Sequence, residues 1–404
     1  MNKFVELLAP AKDIFKAKIA INYGADAVYI GGKNYSLRSR ASNFSNEEIK
    51  EIVQYAHNHN AKVYVTCNIE FHDEDFEGFE DYIKLLDSYY VDAVIVSSLG
   101  ALKICKKVAP DLSVHLSTQA SVINSDACNM MNIYGVNRVI LGRECSMEDI
   151  ESIADKSIVP LEVFIHGGMC ANCSGRCTLS NRMTNRDANR GGCAHSCRWT
   201  YSLYEDGKLK NKSKTIFSMS SKDLCGIEYL KRLIDAGVCS FKIEGRMKSE
   251  YYIAQLVKTY KKAIEEILAF GELSNERLLF YQMELRKAEN RPYSDGFFPG
   301  VCDENYTLYS ENGAGVTHSY VALVKGYNSD TKEATIEVKN IFSKGDILEV
   351  FGPLIDNKQM FCPVLINEFN EELDTANHPT QILKMAVPFE VHENDMIRVL
   401  SHED

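Results

Sequence analysis

Apolar residues along this chain come in short unbroken runs, and one phrase recurs around four of them. It reads YGADAVYIGG from residue 23, YYVDAVIVSS from 89, YGVNRVILGR from 134 and AGVCSFKIEG from 236. Each is a helix end, usually closed by glycine, followed by a β-branched run that finishes in Gly, Ser, Arg or Glu. Unbroken rather than alternating runs mark strands covered on both faces, as in a parallel sheet. VELLAPA near residue 5, VYVTCNI near 63, SVHLSTQA near 113 and LEVFIHG near 161 complete a set of eight. Between them lie segments of helical period, among them DIFKAKIAINYG, NEEIKEIVQYAHNHN, FEDYIKLLDSYY and MEDIESIADK, and the last strand leads into SEYYIAQLVKTYKKAIEEILAF. Eight strand–helix units in about 270 residues have the count and length of a (β/α)8 barrel. A doubly wound open sheet is the competing fold, disfavoured by the lack of a glycine-rich fingerprint after the first strand.

After residue 270 the period changes. NRPYSDGFFPG is loop-like, and from 315 onward short alternating runs such as SYVALVKGY, EATIEVKN, DILEVFGP and QILKMAVP are separated by Gly, Asp and Asn turns. The expected layout is a TIM-like α/β barrel over 1–270, a linker over 271–314 and a small all-β, barrel-like domain over 315–404.

Barrels do their chemistry at the C-terminal ends of the strands. That rule gathers Asn68, Ser98, Gln119, Arg143, Glu144, His166, Glu244 and Arg246, with Tyr35, Arg38 and Arg40 of NYSLRSRASNF on the same rim. Together they imply a polar pocket. A long insertion after the seventh strand, residues 168–225, opens onto the same mouth and carries most of the clustered cysteines.

The chain has 13 cysteines. No apolar run is long enough to cross a membrane, and MNKFVELLAPAKDIF has no signal-peptide core, so a cytoplasmic location is expected. A reducing compartment shifts clustered thiols away from disulfides toward metal or redox chemistry. Cys67, Cys105, Cys128, Cys145, Cys225, Cys239, Cys302 and Cys362 are scattered singly and read mostly as small core residues. The net charge of −11 argues against indiscriminate binding to nucleic acid. Locally, Arg176, Arg182, Arg186, Arg190 and Arg198, followed by Lys208, Lys210, Lys212 and Lys214, make either a solvated basic face or a polyanion site.

The cysteines are spaced Cys170-x6-Cys177-x15-Cys193-x3-Cys197, with Cys173 and Cys225 as further thiols. A zinc ribbon takes two close pairs with short knuckles; Cys170-x2-Cys173 supplies one, but the second pair, Cys193-x3-Cys197, is wider and a sixth cysteine is left over. Four thiolates beside glycine amides suit an iron–sulfur cluster equally well, although the ferredoxin spacing is absent. A catalytic cysteine with His166 or His195 as its base explains one thiol and leaves the others idle. Spacing alone leaves these readings open.

EVFIHGGMCANCSGRCTLSNRMTNRDANRGGCAHSCRW, FSMSSKDLCGIEYL, SFKIEGRMKSEYYIA, ELLAPAKD, YGADAVYIGG and HLSTQASV stand in the order seen in peptidase family U-32, the collagenase-like peptidases. The chain closely resembles that family over residues 4–267. The resemblance implies oxygen-independent hydroxylation of RNA or of a quinone precursor. It implies a 4Fe-4S cluster on Cys170, Cys177, Cys193 and Cys197, with Cys225 as an alternative to Cys197 and Cys173 as a non-ligand. The length, NYSLRSRASNF and the β-rich tail are most similar to the branch that converts the tRNA wobble uridine to 5-hydroxyuridine, with prephenate as a required metabolite. On that reading a splayed anticodon base enters the barrel mouth. Tyr35, Arg38, Asn68 and Gln119 would bind it, Arg182, Arg186 and Arg190 would hold phosphates, and His166, Arg143, Glu144, Glu244 and Arg246 would serve the chemistry. Arg38, Arg143 and Arg246 would clamp the dicarboxylate. The partners implied are tRNA, a small dicarboxylate and an electron donor or second family member, with no membrane. The rivals are a collagenase-like peptidase and a zinc-stapled RNA-binding factor.

Overall fold

The computed structural model describes residues 4–37, 43–210, 217–302, 306–308 and 317–400. Strands β1 (Glu6–Pro10), β2 (Ala27–Gly31), β3 (Lys62–Cys67), β4 (Ala93–Val96), β5 (Ser113–Leu116), β6 (Arg138–Ile140), β7 (Leu161–Gly168) and β8 (Ser240–Ile243) follow the apolar runs of the sequence. They pair in parallel in chain order, and β8 bonds to both β1 and β7, which closes the barrel. The expected barrel is borne out, and the open sheet is excluded by that closure.

The outer helices are α1 (Ile14–Asn22), α2 (Asn46–Asn58), α3 (Phe79–Ser88), α4 (Leu99–Val108), α5 (Ser125–Ile133), α6 (Met147–Lys156), α7 (Leu230–Ala236) and α8 (Glu250–Phe270). Their starts are written locally. Ser45 and Ser146 close capping boxes with Glu48 and Asp149, and Asp13 and Ser249 cap α1 and α8. Each helix buries one stripe, as α2 does with Ile49, Ile52, Val53 and Ala56.

The N-terminal end of the barrel is filled by charge as well as by aliphatic residues. Glu6 of β1 accepts from Arg138 Nη1 at 2.6 Å, from Tyr64 OH at 2.5 Å and from Ser240 Oγ at 2.8 Å. Glu162 of β7 accepts from Arg138 Nη1 at 3.2 Å and from Lys242 Nζ at 2.7 Å. Burial would raise the Glu6 pKa, but the Arg138 charge and hydrogen bonds outweigh it and the net shift is downward.

The segment expected to be a linker is more ordered than its composition implies. Helix α9 (Asn275–Leu285) packs against α8, and its Tyr281 and Leu285 belong to the barrel core. The two-residue strands Tyr293–Ser294 and Thr307–Leu308 pair with Asp223–Cys225 and Ser220–Ser221. Strands that short carry no readable period, which is why the sequence shows only turn residues there.

Beyond it, an eight-stranded antiparallel sheet runs from His318–Asn328 to Met396–Leu400 around its own core of Val321, Ile336, Val350, Leu383 and Ile397. Its order leaves two edges, so the expected barrel-like domain is a half-barrel. Arg398 fastens it to the barrel. The side chain is fully buried, bonds Gln255 Oε1 of α8 at 2.6 Å, Glu349 Oε1 at 2.7 Å and Glu284 Oε2 of α9 at 3.3 Å, and stacks on Phe351. Among the described residues no helix is long and apolar enough to cross a membrane.

Candidate active site at the barrel mouth

Past β7 the chain leaves the barrel at Gly168 and Met169, and the cysteine-rich insertion begins. It is strapped to the rim at several points. Glu144, just past β6, accepts from the Ser174 backbone N–H; Ser121, past β5, donates to the Ser174 carbonyl; and Arg176 Nε reaches Ser121 Oγ at 3.3 Å. Gly175, at φ +74°, lies so close to the Gln119 carbonyl that no Cβ fits. Farther along, Asn189 O accepts from Glu70 N at 2.9 Å, and Arg190 pairs with Asp75 in the loop after β3. The insertion therefore spans the mouth from the β3 side to the β7 side.

This strapping gathers thiols. Burial pushes the Cys197 pKa up, Arg198 pulls it back, and the nearby thiols of Cys170, Cys193 and Cys177 add to the rise. Cys170 and Cys193 are exposed, while Cys177 and Cys197 are half-buried. Two polar groups reach the sulfurs: Arg143 Nη1 lies 3.9 Å from Cys170 Sγ and Asn172 Nδ2 lies 3.3 Å from Cys177 Sγ. Cys225 belongs elsewhere. Its backbone pairs with His166, its thiol is 4.0 Å from Tyr260 OH, and burial pushes its pKa up to about 11. Among the described residues no group of three or more His, Cys, Asp or Glu is placed to hold a single metal ion. The donor set, four soft thiols with cationic and amide donors beside them, fits a thiolate-bound cluster.

Beside Cys197 opens a cavity of about 320 Å³ lined by Gly168, His195, Arg198, Ser218, Ser220, Asp223, Glu244, Gly245, Met247, Lys248, Arg291 and Leu308. Arg291 holds Asp223 through its backbone N–H at 2.9 Å, through Nε at 2.9 Å and through Nη2 at 2.5 Å, and reaches Ser220 Oγ at 3.1 Å. Glu244 Oε2 accepts from Gly168 N at 3.1 Å. Lys248 Nζ donates to the Glu289 carbonyl at 3.1 Å.

Of the residues read from the strand-end rule, Glu244 alone lines this cavity; His195, read as a possible base, and Arg198 of the basic run line it too. The rest divide by position. His166 is a correction: its ring is sealed among Tyr252, Tyr260 and Tyr293, with Nδ1 2.9 Å from Tyr260 OH, and desolvation drives its pKa down to about 3. A residue near a strand end can point into the barrel wall as readily as into the mouth. Arg246 is a second correction. Its buried guanidinium is spent on Ser36 Oγ at 2.8 Å, Thr66 Oγ1 at 3.2 Å and the Leu37 carbonyl, a clasp between β8 and the β2 and β3 ends. Glu144 anchors the cysteine loop instead of facing the cavity. Arg143 lies over the Phe164 ring at 4.0 Å, beside Cys170.

Tyr35 packs in an aromatic group with Phe71, Phe79 and Tyr82 and donates to Glu77 O at 3.0 Å. Asn68 ties Leu37 N to Ser117 Oγ. Gln119 is half-buried under the cysteine loop. Arg190 is committed to Asp75, which removes it from the phosphate-binding set, whereas Arg182 is exposed on the short helix Leu179–Thr184 and Arg186 Nε is buried without a partner among the described residues. Arg38, Arg40, Lys212 and Lys214 lie outside the described residues. Sequence reading missed Asp223, Lys248 and Arg291, and noted Arg198 only as part of a basic run. Arg291 stands 68 positions from Asp223, in a stretch that reads as a linker, so no local signal joins them.

Residues 12–307 match peptidase family U32, and residues 316–398 match the peptidase family U32 C-terminal domain. The chain belongs to peptidase family U32. Within that family it is similar to tRNA hydroxylation protein P1 of Bacillus subtilis, 43% identical over 98% of this chain and 95% of that one. It is also similar to the 23S rRNA 5-hydroxycytidine C2501 synthase of Escherichia coli, 38% identical over 65% of this chain and 40% of that protein. A collagenase of Porphyromonas gingivalis is 30% identical over 95% of this chain and 94% of its own length. These relatives are named for different activities, so family membership by itself leaves the substrate to be argued from the site.

Proposed function

We propose that this U32 protein is an iron–sulfur-dependent, oxygen-independent RNA hydroxylase that forms 5-hydroxyuridine at the tRNA wobble position, with prephenate as co-substrate. The observation that carries the reading is that Cys170, Cys177, Cys193 and Cys197 lie on the insertion strapped across the barrel mouth, the first three near enough to act on the Cys197 thiol, beside a charged cavity. Similarity across almost the whole chain to a tRNA hydroxylation protein gives the substrate class. The four cysteines would hold a 4Fe-4S cluster, and Cys197 is favoured over Cys225 because Cys225 faces Tyr260. A bound cluster supplies one-electron transfer.

The chain's own residues do the rest. Arg143 and Asn172 donate toward the sulfurs and hold the loop's thiolates in place. Arg182, exposed on the cysteine-rich insertion, and Arg176 supply positive charge for RNA phosphates. The strapped insertion narrows the mouth and restricts water around a splayed base. An electron donor or a second family member completes the partner set.

The test is anaerobic purification with iron and acid-labile sulfide assays, followed by nucleoside analysis of tRNA from cells lacking the gene. About four iron and four sulfide per chain, with loss of 5-hydroxyuridine-derived nucleosides, is the expected result. Zinc without sulfide returns the protein to the RNA-binding rival. The collagenase relative supports a peptidase reading; the sealed position of His166 removes it as a base for an exposed thiol and leaves His195, which lines the cavity, as that reading's base. Gelatin cleavage that survives alanine at Cys170 and Cys177 would favour that reading.

A further inference from the structure

We infer that the cavity between Arg198 and Arg291 is a binding site for a small organic carboxylate and that Arg198 is its clamp. The inference deepens the co-substrate part of the reading above and moves that ligand away from Arg38, Arg143 and Arg246.

The charges in the cavity are unequal. Three cations, Arg198, Arg291 and Lys248, line it against two carboxylates, Asp223 and Glu244. Asp223 is taken up by Arg291 and Glu244 is bonded by Gly168 N–H. The Arg198 guanidinium makes no hydrogen bond or ion pair among the described residues, although it lies next to the like charge of Arg291. Burial and the like charge of Arg291 outweigh the attraction that Cys197, Glu244 and Asp223 exert on the guanidinium, so the site gains from one added anion.

Geometry narrows the anion. Gly168 forms the floor: a Cβ built there would lie 3.0 Å from Glu244 Oε2, 3.5 Å from Arg291 Nη2 and 3.6 Å from Arg198 Nη2. The missing side chain leaves room where the two guanidinium ends converge beside the Glu244 carboxylate, which the Gly168 N–H engages. Planar nitrogens match a carboxylate's two oxygens in parallel. Met247 and Leu308 supply an apolar wall, and Ser218 and Ser220 supply hydroxyl-bearing residues. At about 320 Å³ the space suits one small molecule with an apolar body. An RNA backbone tracks an open groove instead, and the exposed Arg182 suits that task better.

The other candidates for a clamp are occupied. Arg246 is buried and saturated by Ser36, Thr66 and Leu37, while Arg143 is stacked on Phe164 beside Cys170. Arg198 follows Cys197 directly in the chain, so a carboxylate held by it lies beside the gathered thiols.

The test is calorimetric titration of the anaerobically purified protein with prephenate, phenylpyruvate, inorganic phosphate and an anticodon stem-loop RNA. It is run on wild type, Arg198→Ala, Arg198→Lys and, as a charge control on the outer surface, Arg232→Ala. The expected result is binding of at least one of the two acids, weakened roughly 10- to 100-fold by Arg198→Ala, the loss of a charge-assisted hydrogen bond. Arg198→Lys should restore part of it and Arg232→Ala should change nothing. Unchanged acid affinity in Arg198→Ala, no binding of either acid, or phosphate or RNA as the sole ligand lost with Arg198 would each overturn the inference. The two readings fail separately. Arg198-dependent acid binding in a protein that makes no 5-hydroxyuridine keeps the site and sinks the hydroxylase, and 5-hydroxyuridine formation with acid binding indifferent to Arg198 does the reverse.

Discussion

Both ends of the barrel concentrate charge, and they handle it in opposite ways. At the N-terminal end Glu6, Arg138, Glu162 and Lys242 form a continuous network in which every charge meets its opposite inside 3.2 Å. At the mouth Arg291 and Asp223 are paired, but among the described residues Arg198 makes no ion pair and lines an open cavity. Satisfied charge fixes strand positions and does nothing further; unsatisfied charge beside a cavity can recognise a ligand. The difference lies in the pairing, since both regions contain the same residue types.

The largest expected effect breaks the closed end. Arg138→Met leaves Glu6 and Glu162 buried without their shared counter-charge, and should cost about 3–5 kcal/mol in urea denaturation. A loss below about 1 kcal/mol would mean that the network is not the structural element described. Next comes pH. The pKa of about 3 at His166 keeps its imidazole neutral in the folded chain, so this stabilisation is whole above the ordinary value of 6.5 and is lost as pH falls toward 3. Stability should drop by about 2 kcal/mol between about pH 7 and pH 5 on this account. His166→Gln should flatten that slope, and an unchanged slope would show that the ring is not sealed.

Glu144→Ala sharpens the comparison at the mouth. It leaves the Ser174 N–H unpaired, a cost of about 1–2 kcal/mol, and should speed alkylation of Cys170 and Cys177 as the loop loosens. Equal alkylation rates would remove Glu144 from the strapping. The smallest effect is Arg182→Ala, expected to change stability by less than about 0.5 kcal/mol. The salt dependence of RNA binding should fall by about one phosphate contact.

The sequence was most legible where one residue's environment is set by its neighbours in the chain. The eight barrel strands were readable because each is an unbroken apolar run between capped helices, and Ser45 and Ser146 announce two of those helices directly. The cysteine spacing was readable as a motif. The site was much less so. The strand-end rule picked Glu244 correctly as a cavity residue but also picked His166, which a ring of tyrosines encloses, and Arg246, which clasps two strands. Arg190 read as a phosphate ligand until Asp75, 115 positions away, was seen to hold it. Cys225 stood as an alternative to Cys197 only through the family resemblance; its strand turns it toward Tyr260.

By itself the sequence determined the barrel, the antiparallel tail and the family, because backbone periodicity and local capping are short-range and their signals survive in one dimension. Tertiary structure alone decided which charges are spent. Arg291 finds Asp223, Arg190 finds Asp75 and Arg398 finds Glu349 only after the chain has folded, and among the described residues Arg198 makes no such pair for the same reason. Ion pairing depends on distances of a few ångströms between residues far apart in sequence, so the partition into anchored and available side chains is a property of the packed barrel mouth.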